Sequence, residues 1–571
     1  MIKELKDEIG FFLFNKKYML LMLLAVIGGY LYVFTHGTCG IDDISIDLYF
    51  DVGIGVAIGR WPYYLVNKII PITEYTPFIA DFITVVLMVA AAIGWCVLIR
   101  KILGEELPIW AYIVFSIWFI DYSMNADVFV FYLQNGLGWL HLFVVISLML
   151  VVDLYKGKHK IGMQLCYRIS IIIMLTLAIS FYESAANLFV TGALALIFID
   201  LWRNDEKALF RNKYFFQSLF FVARYLVYAM ICRRIMRTLI MRVFGILPYT
   251  FYRSVSSLEW ITKGGVGRIG ENIGNFFANI FCNYFAVGVA YYPIFIFSIC
   301  SVIYLVALAY ITYKKKDVLL FLSGCGLYIS LYLLSAISGE PMQYRACQNF
   351  VLFVALIFGG LAGYAVQKKG ALRAGLCIGI TWTILYSIYD MNEWFILDYE
   401  KTEYEMQVID EIAKELKSGA YDIDDKPIVF VGDFGLPVEI AERYLITQDD
   451  FGWEVVKAAV IHANGSEEKV KYGTYCYSQN SSSIIDWSVR AFAMYAGYNV
   501  PIRQLFEYRE HDFIWANSEI VKQVFELYYP LDSELYSYTG LENYEENYGD
   551  SPQYPTDGYI EELEDCIVIR L

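Results

Sequence analysis

Long apolar runs separated by short polar stretches fill the chain up to about residue 390. They cover residues 18–34, 77–99, 107–120, 128–152, 165–182, 185–202, 214–231, 293–313, 318–337, 350–366 and 372–389. A helix needs about 20 such residues to cross a hydrocarbon core, and several of these runs are shorter. The pattern predicts about eleven transmembrane helices. Residues 1–17 are a basic, amphipathic lead-in carrying Lys3, Lys6, Lys16 and Lys17. The first apolar run lacks a small-x-small exit, so it reads as a retained anchor and not as a cleaved signal.

After Trp394 the pattern changes. YEMQVIDEIAKEL (404–416) has helical periodicity, PIVFV (427–431) reads as a buried strand, and CIVIRL (566–571) reads as a closing strand. The expected organisation is a transmembrane domain over 1–390 followed by a C-terminal α/β domain over 391–571, outside the membrane. Gly432-Asp433 follows a strand, yet lacks the spacing of a dinucleotide or Walker loop and reads as an ordinary turn. No internal repeat is visible.

Composition agrees with the pattern. Of 571 residues 58% are hydrophobic and 18% charged, against about 45–50% and 25% in soluble domains. The net charge of −15 hides a division: from Glu393 onward there are 13 Lys/Arg and 36 Asp/Glu, before it 31 and 23. An acidic soluble tail thus follows a mildly basic membrane part, which argues against nucleic acid as a partner. The eleven cysteines form no CxxC pair and read as small hydrophobes, with Cys476 and Cys566 the one pairing the tail offers. The five histidines have no zinc-ligand spacing.

Charge also orients the spans. With the N-terminus in the cytoplasm, Arg100-Lys101, Lys156, Arg203, Lys207, Arg211, Lys213, Lys314-Lys315-Lys316 and Lys368-Lys369 all fall inside. The segments around Asp121–Asp127 and Glu183 fall outside without Lys or Arg, and the C-terminal domain is extracytoplasmic. The predicted outer segment 232–292 breaks this rule with Arg233, Arg234, Arg237 and Arg242. Three readings of these arginines stand: an interfacial helix on anionic headgroups, a phosphate-binding surface, or a cytoplasmic segment with the span count off by one. Arg224, inside a span, is expected to face a polar cavity or a carboxylate.

The candidate chemistry lies in the first outer segment, 36–76, which begins HGTCGIDDISIDLYFD and continues to Gly59-Arg60-Trp61. Carboxylates at a membrane exit are costly to desolvate, so they face water, a cation or a reacting group. An outward-facing enzyme without ATP or nucleotide sugar needs a donor that arrives through the membrane, most simply a lipid phosphate-linked sugar. Transfer from it needs a base for the acceptor hydroxyl and cations for the departing phosphate. Asp42 or Asp43 suits the first role. Arg60, Arg345, Arg233, Arg234 and Arg237 suit the second. Trp61, Tyr63 and Tyr344 can stack on sugar faces. Asp47, Glu183 and Arg224 are further candidates. Plainer readings stand beside these: Asp42-Asp43 as a helix cap, Asp47 as a solvated helix face, Arg60-Trp61 as an interface anchor, and Glu183 as a turn marker. A divalent metal bridging carboxylate and phosphate stays open.

The layout resembles the GtrII-type bacterial glucosyltransferases, a branch of the GT-C membrane glycosyltransferases. Asp42-Asp43 after the first span, Gly59-Arg60-Trp61-Pro62, Gln343-Tyr344-Arg345 and the closing PTDGYIEELEDCIVIRL carry the resemblance. It implies a GT-C-like polytopic fold and transfer of a sugar, typically glucose, from a polyprenyl phosphate to a surface polysaccharide such as O-antigen. It also implies that Asp42 and Asp43 are the acidic pair of the first outer loop. A flippase for lipid-linked glycans, a polymerase of the same pathway and a receptor are the rival classes. A transporter would set its charges deep in spans and often shows repeats, whereas here most acidic residues lie in the segments between spans.

Overall fold

The computed structural model describes residues 2–38, 53–69, 77–103, 107–129, 136–157, 160–204, 208–211, 213–246, 294–334, 344–416, 418, 421, 428–431, 514–515, 552–563 and 567–570. The helices in chain order are α1 (Ile2–Leu13), α2 (Lys16–Thr35), α3 (Gly53–Ile58), α4 (Trp61–Ile69), α5 (Pro77–Leu103), α6 (Ile109–Asp121), α7 (Ala126–Phe129) and α8 (Leu137–Lys156). They continue with α9 (Ile161–Phe181), α10 (Ala185–Asn204), α11 (Lys213–Phe244), α12 (Ile294–Lys315), α13 (Val318–Ser330), α14 (Gln348–Gln367) and α15 (Gly370–Glu415). Each predicted span contains one of these helices. Among the described residues nine are long and apolar enough to cross a membrane, and α6 and α13, at 13 residues each, are shorter. The protein is a multi-pass helical membrane protein.

Burial explains why α6 can be short. It is buried along nearly its whole length, from Ala111 to Asp121, and packs against α2, α5 and α14. A helix apolar all round has no solvent face to present, so it occupies the core. The seam with α14 is made by small residues. A Cβ on Gly359 would lie 2.9 Å from Phe115 Cβ and 3.1 Å from the Ala111 carbonyl, and Gly363 faces Ala111 one turn on. This spacing lets two backbones approach in lipid. In α2, by contrast, Tyr18, Met22, Ala25, Gly29, Tyr30 and Val33 point inward while Leu20, Leu23, Leu24, Ile27 and Leu31 are exposed. Both faces are apolar, as a span in lipid requires.

Polar side chains inside the bundle meet across helices. Tyr18 and Ser116 hydroxyls lie 2.7 Å apart, Thr191 and Ser330 2.9 Å, and His141 Nε2 lies 3.2 Å from Gln348 Oε1. One end of the bundle gathers the basic residues. Lys101 pairs with Asp153, Lys156 donates to the Lys101 carbonyl, Lys315 to the Trp202 carbonyl, and Arg211 pairs with Asp317 at 2.5 Å.

The chain divides into two compact units, with one change falling inside α15 between Ile396 and Leu397. The second unit holds the end of α15 and a four-stranded sheet of β1 (Ile428–Val431), β2 (Ile514–Trp515), β3 (Ile560–Glu562) and β4 (Ile567–Arg570), in the order β2-β1-β4-β3. β1 runs parallel to β2 and β4, pairing Ile428 with Ile567 and Val431 with Arg570, while β3 is antiparallel to β4. The two strands expected from PIVFV and CIVIRL are thus direct neighbours. The Tyr554 hydroxyl donates to Glu411 Oε2 at 2.6 Å, tying the segment before β3 to the helix.

Candidate functional site

The site is built from a helix end. α3 stops at Gly59, whose φ of +104° is open to glycine and strained for other residues. The Gly59 amide donates to the Val56 carbonyl at 2.9 Å and the Arg60 amide to the Gly55 carbonyl at 2.6 Å, the two bonds of a Schellman motif. That cap leaves the last carbonyls of α3, on Ile58 and Gly59, in need of donors. Arg233 supplies them from α11: its Nη2 donates to Ile58 O at 3.1 Å and its Nε to Gly59 O at 3.4 Å.

Two guanidiniums then share one carboxylate. Glu183 sits in the turn between α9 and α10, and its Oε1 accepts from Arg233 Nη2. Its Oε2 accepts from Nε and Nη2 of Arg60, both at 3.3 Å. The Arg60 guanidinium also lies over the Tyr182 ring, 4.6 Å from its centroid. Burial works against ionisation of Glu183, but Arg60 and Arg233 outweigh it and hold the carboxyl below its ordinary range. A lowered value means the pairing stabilises the fold at neutral pH and is lost only as pH falls through that value. The Glu183 side chain keeps 38% of its surface, against 21% for Arg60 and 19% for Arg233, so the bridge is reachable from solvent.

A second pair adjoins the first. Buried Asp127, on α7, accepts the backbone N–H of Arg345 at 2.9 Å and so pins the turn Tyr344–Ala346 that leads into α14. Burial raises the Asp127 carboxyl, with the charge and amide of Arg345 pulling the other way. Tyr182 stands between the pairs. Burial raises its hydroxyl, Arg60 and Arg345 lower it, and Glu183 and Asp127 raise it further.

Of the residues expected from sequence, Arg60, Arg233 and Glu183 therefore gather at one place, and Arg345 is held through its backbone by Asp127. Trp61 is buried at the start of α4, with Tyr63 half-buried beside it. Tyr344 opens the turn that contains Arg345. The arginines assigned to the outer segment from 232 lie on a helix, as their spacing suggested, and that helix is the continuation of α11 to Phe244; Arg234 is exposed and Arg237 half-buried. Arg224 is nine residues before Arg233, about 13 Å along the helix. Its guanidinium lies 5.6 Å from the Phe221 ring centroid and 5.3 Å from that of Tyr225, both on the same helix. Asp42, Asp43, Asp47, Gly432-Asp433, Cys476 and Cys566 lie outside the described residues. Among the described residues no three His, Cys, Asp or Glu side chains gather as a metal site. Asp127 was not singled out from sequence, although an acidic residue in an outer segment free of Lys and Arg was a signal.

Gly59 gives a direct test of this geometry. A Cβ there would lie 2.5 Å from Arg233 Nη2 and 2.8 Å from its Cζ. Gly59→Ala is expected to lose about 1–2 kcal/mol to backbone strain alone and to push Arg233 off its carbonyls. A lower melting temperature in detergent, with weaker binding of an anionic ligand, is the expected result.

A family model described as Glucosyl transferase GtrII matches residues 31–364, a span that includes every residue of both pairs. No curated protein and no solved structure matches the chain.

Proposed function

Because the chain belongs to the GtrII glucosyltransferase family, we propose that it transfers glucose from a polyprenyl-phosphate-linked donor to a cell-envelope glycan such as O-antigen. The observation that carries the donor class is the meeting of Arg60 and Arg233 on Glu183, in the turn between two membrane helices. Guanidinium forks suit phosphate oxygens, and a lipid-linked phosphate arrives at that depth. In this reading the arginine end faces outward and the basic end faces the cytoplasm, following the positive-inside rule. The N-terminus is then cytoplasmic and the C-terminal domain extracytoplasmic.

The reaction is a displacement. An acceptor hydroxyl oxygen bonds to the anomeric carbon as the bond from that carbon to the phosphate oxygen breaks. The hydroxyl proton goes to Asp42 or Asp43, and polyprenyl phosphate leaves with the electron pair. The arginines stabilise the charge that grows on the phosphate. Trp61, Tyr63 and Tyr344 supply aromatic surface for the sugars.

The test uses purified full-length protein in proteoliposomes with polyprenyl-phosphate-[14C]glucose and native envelope glycan. Label appearing in the glycan is the expected result. Movement of labelled lipid between leaflets without transfer would replace this reading with a flippase.

A further inference from the structure

We infer that Glu183 is the positioning residue that sets Arg60 and Arg233 side by side as one phosphate clamp. The inference rests on the lipid-phosphate donor proposed above and assigns a task within that site.

The two arginines come from unrelated parts of the chain, one at the end of α3 and one within α11. Long cationic side chains repel one another and lose rotamer freedom when fixed, so nothing intrinsic brings them together. Glu183 does so with one oxygen for each. Its own placement is firm. The Tyr182 amide donates to the Ala178 carbonyl, and the Ala185 and Ala186 amides donate to Tyr182 and Glu183 carbonyls, each at 3.1 Å, which fixes the turn. The start of α10 favours a negative charge at this point.

Each arginine has a second anchor besides Glu183. Arg60 rests on the Tyr182 ring and Arg233 on the Ile58 and Gly59 carbonyls. Their bonds engage Nε and Nη2 of Arg233, leaving Nη1 outside the bridge. The chemistry needs Glu183 ionised and bridging, and it gives Glu183 no contact with the reacting carbon.

The experiment measures transfer by full-length wild type, Glu183→Gln and Glu183→Asp in proteoliposomes, with donor and glycan varied separately. Binding of polyprenyl phosphate alone is followed in parallel, and thermal melting verifies the fold. Glu183→Gln is expected to raise the donor KM about 10- to 100-fold and leave the glycan KM unchanged. Glu183→Asp keeps the charge on a shorter arm and should recover part of the loss. In the double variant Arg60→Ala, Glu183→Gln the two effects should fall well short of additive. A folded Glu183→Gln with unchanged donor KM overturns the inference, and so does a rise shared equally by donor and glycan. Wild type that neither transfers glucose nor binds polyprenyl phosphate overturns the donor reading itself, and the inference with it.

Discussion

Asp42→Asn or Asp43→Asn is expected to lower kcat by about 10²–10⁴-fold, the usual contribution of a general base. Asparagine keeps the shape of aspartate and its hydrogen-bonding oxygen but cannot take a proton at neutral pH. The variant that removes the base should therefore still bind polyprenyl-phosphate-glucose with little change in affinity. The other variant should retain most of its rate, since one proton needs one acceptor. Single-turnover transfer at saturating donor separates the two. Full rates in both would move proton abstraction out of this segment, and Asp127, the buried carboxylate beside Arg345, would be the next to replace.

The second large effect belongs to Arg233. Its guanidinium serves a carboxylate and two helix-end carbonyls at once, so Arg233→Ala removes a cation from the proposed phosphate site and undoes the end of α3. Loss of one preorganised donor typically costs about 10²–10³-fold in rate, and kcat/KM is expected to fall by that order. The fold should lose less than a fully buried pair would imply, because Glu183 keeps Arg60 and remains open to water; about 1 kcal/mol is the scale for such a half-exposed pair. Arg233→Lys retains the charge but not the fork that reaches three acceptors. It should recover binding partially and turnover poorly. Equal kinetics in Arg233→Ala and wild type would remove this arginine from the site.

The spans were legible because every helix in lipid shows apolar residues on all sides, whether it faces lipid or protein. For the same reason hydropathy could not separate α6, buried on all sides, from α2, with one face exposed. Charge placed Arg60, Glu183 and Arg345 on one predicted face but could not say which would touch. Arg233 lies 50 residues from Glu183 and 174 from Gly59, and no local spacing encodes such a meeting. The arginines of α11 looked alike in sequence, open to headgroups or to phosphate. Packing separates them: Arg233 is ion-paired within the bundle and Arg234 is exposed. Asp127 went unnoticed because its carboxylate binds a backbone amide, a partner that sequence does not advertise.

The unbroken run of α11 from Lys213 to Phe244 makes the helix a shaft. Its angular setting is fixed where Phe221, Tyr225 and Ala229 are buried in the bundle, the Ala229 carbonyl accepting from Thr176 of α9, and it is read out at Arg233. Each residue advances a helix by about 100°. One residue gained or lost between Ala229 and Arg233 would swing the guanidinium away from Glu183 while leaving the hydropathy of the span untouched. The length of that interval is therefore as much a part of the site as the arginine it delivers.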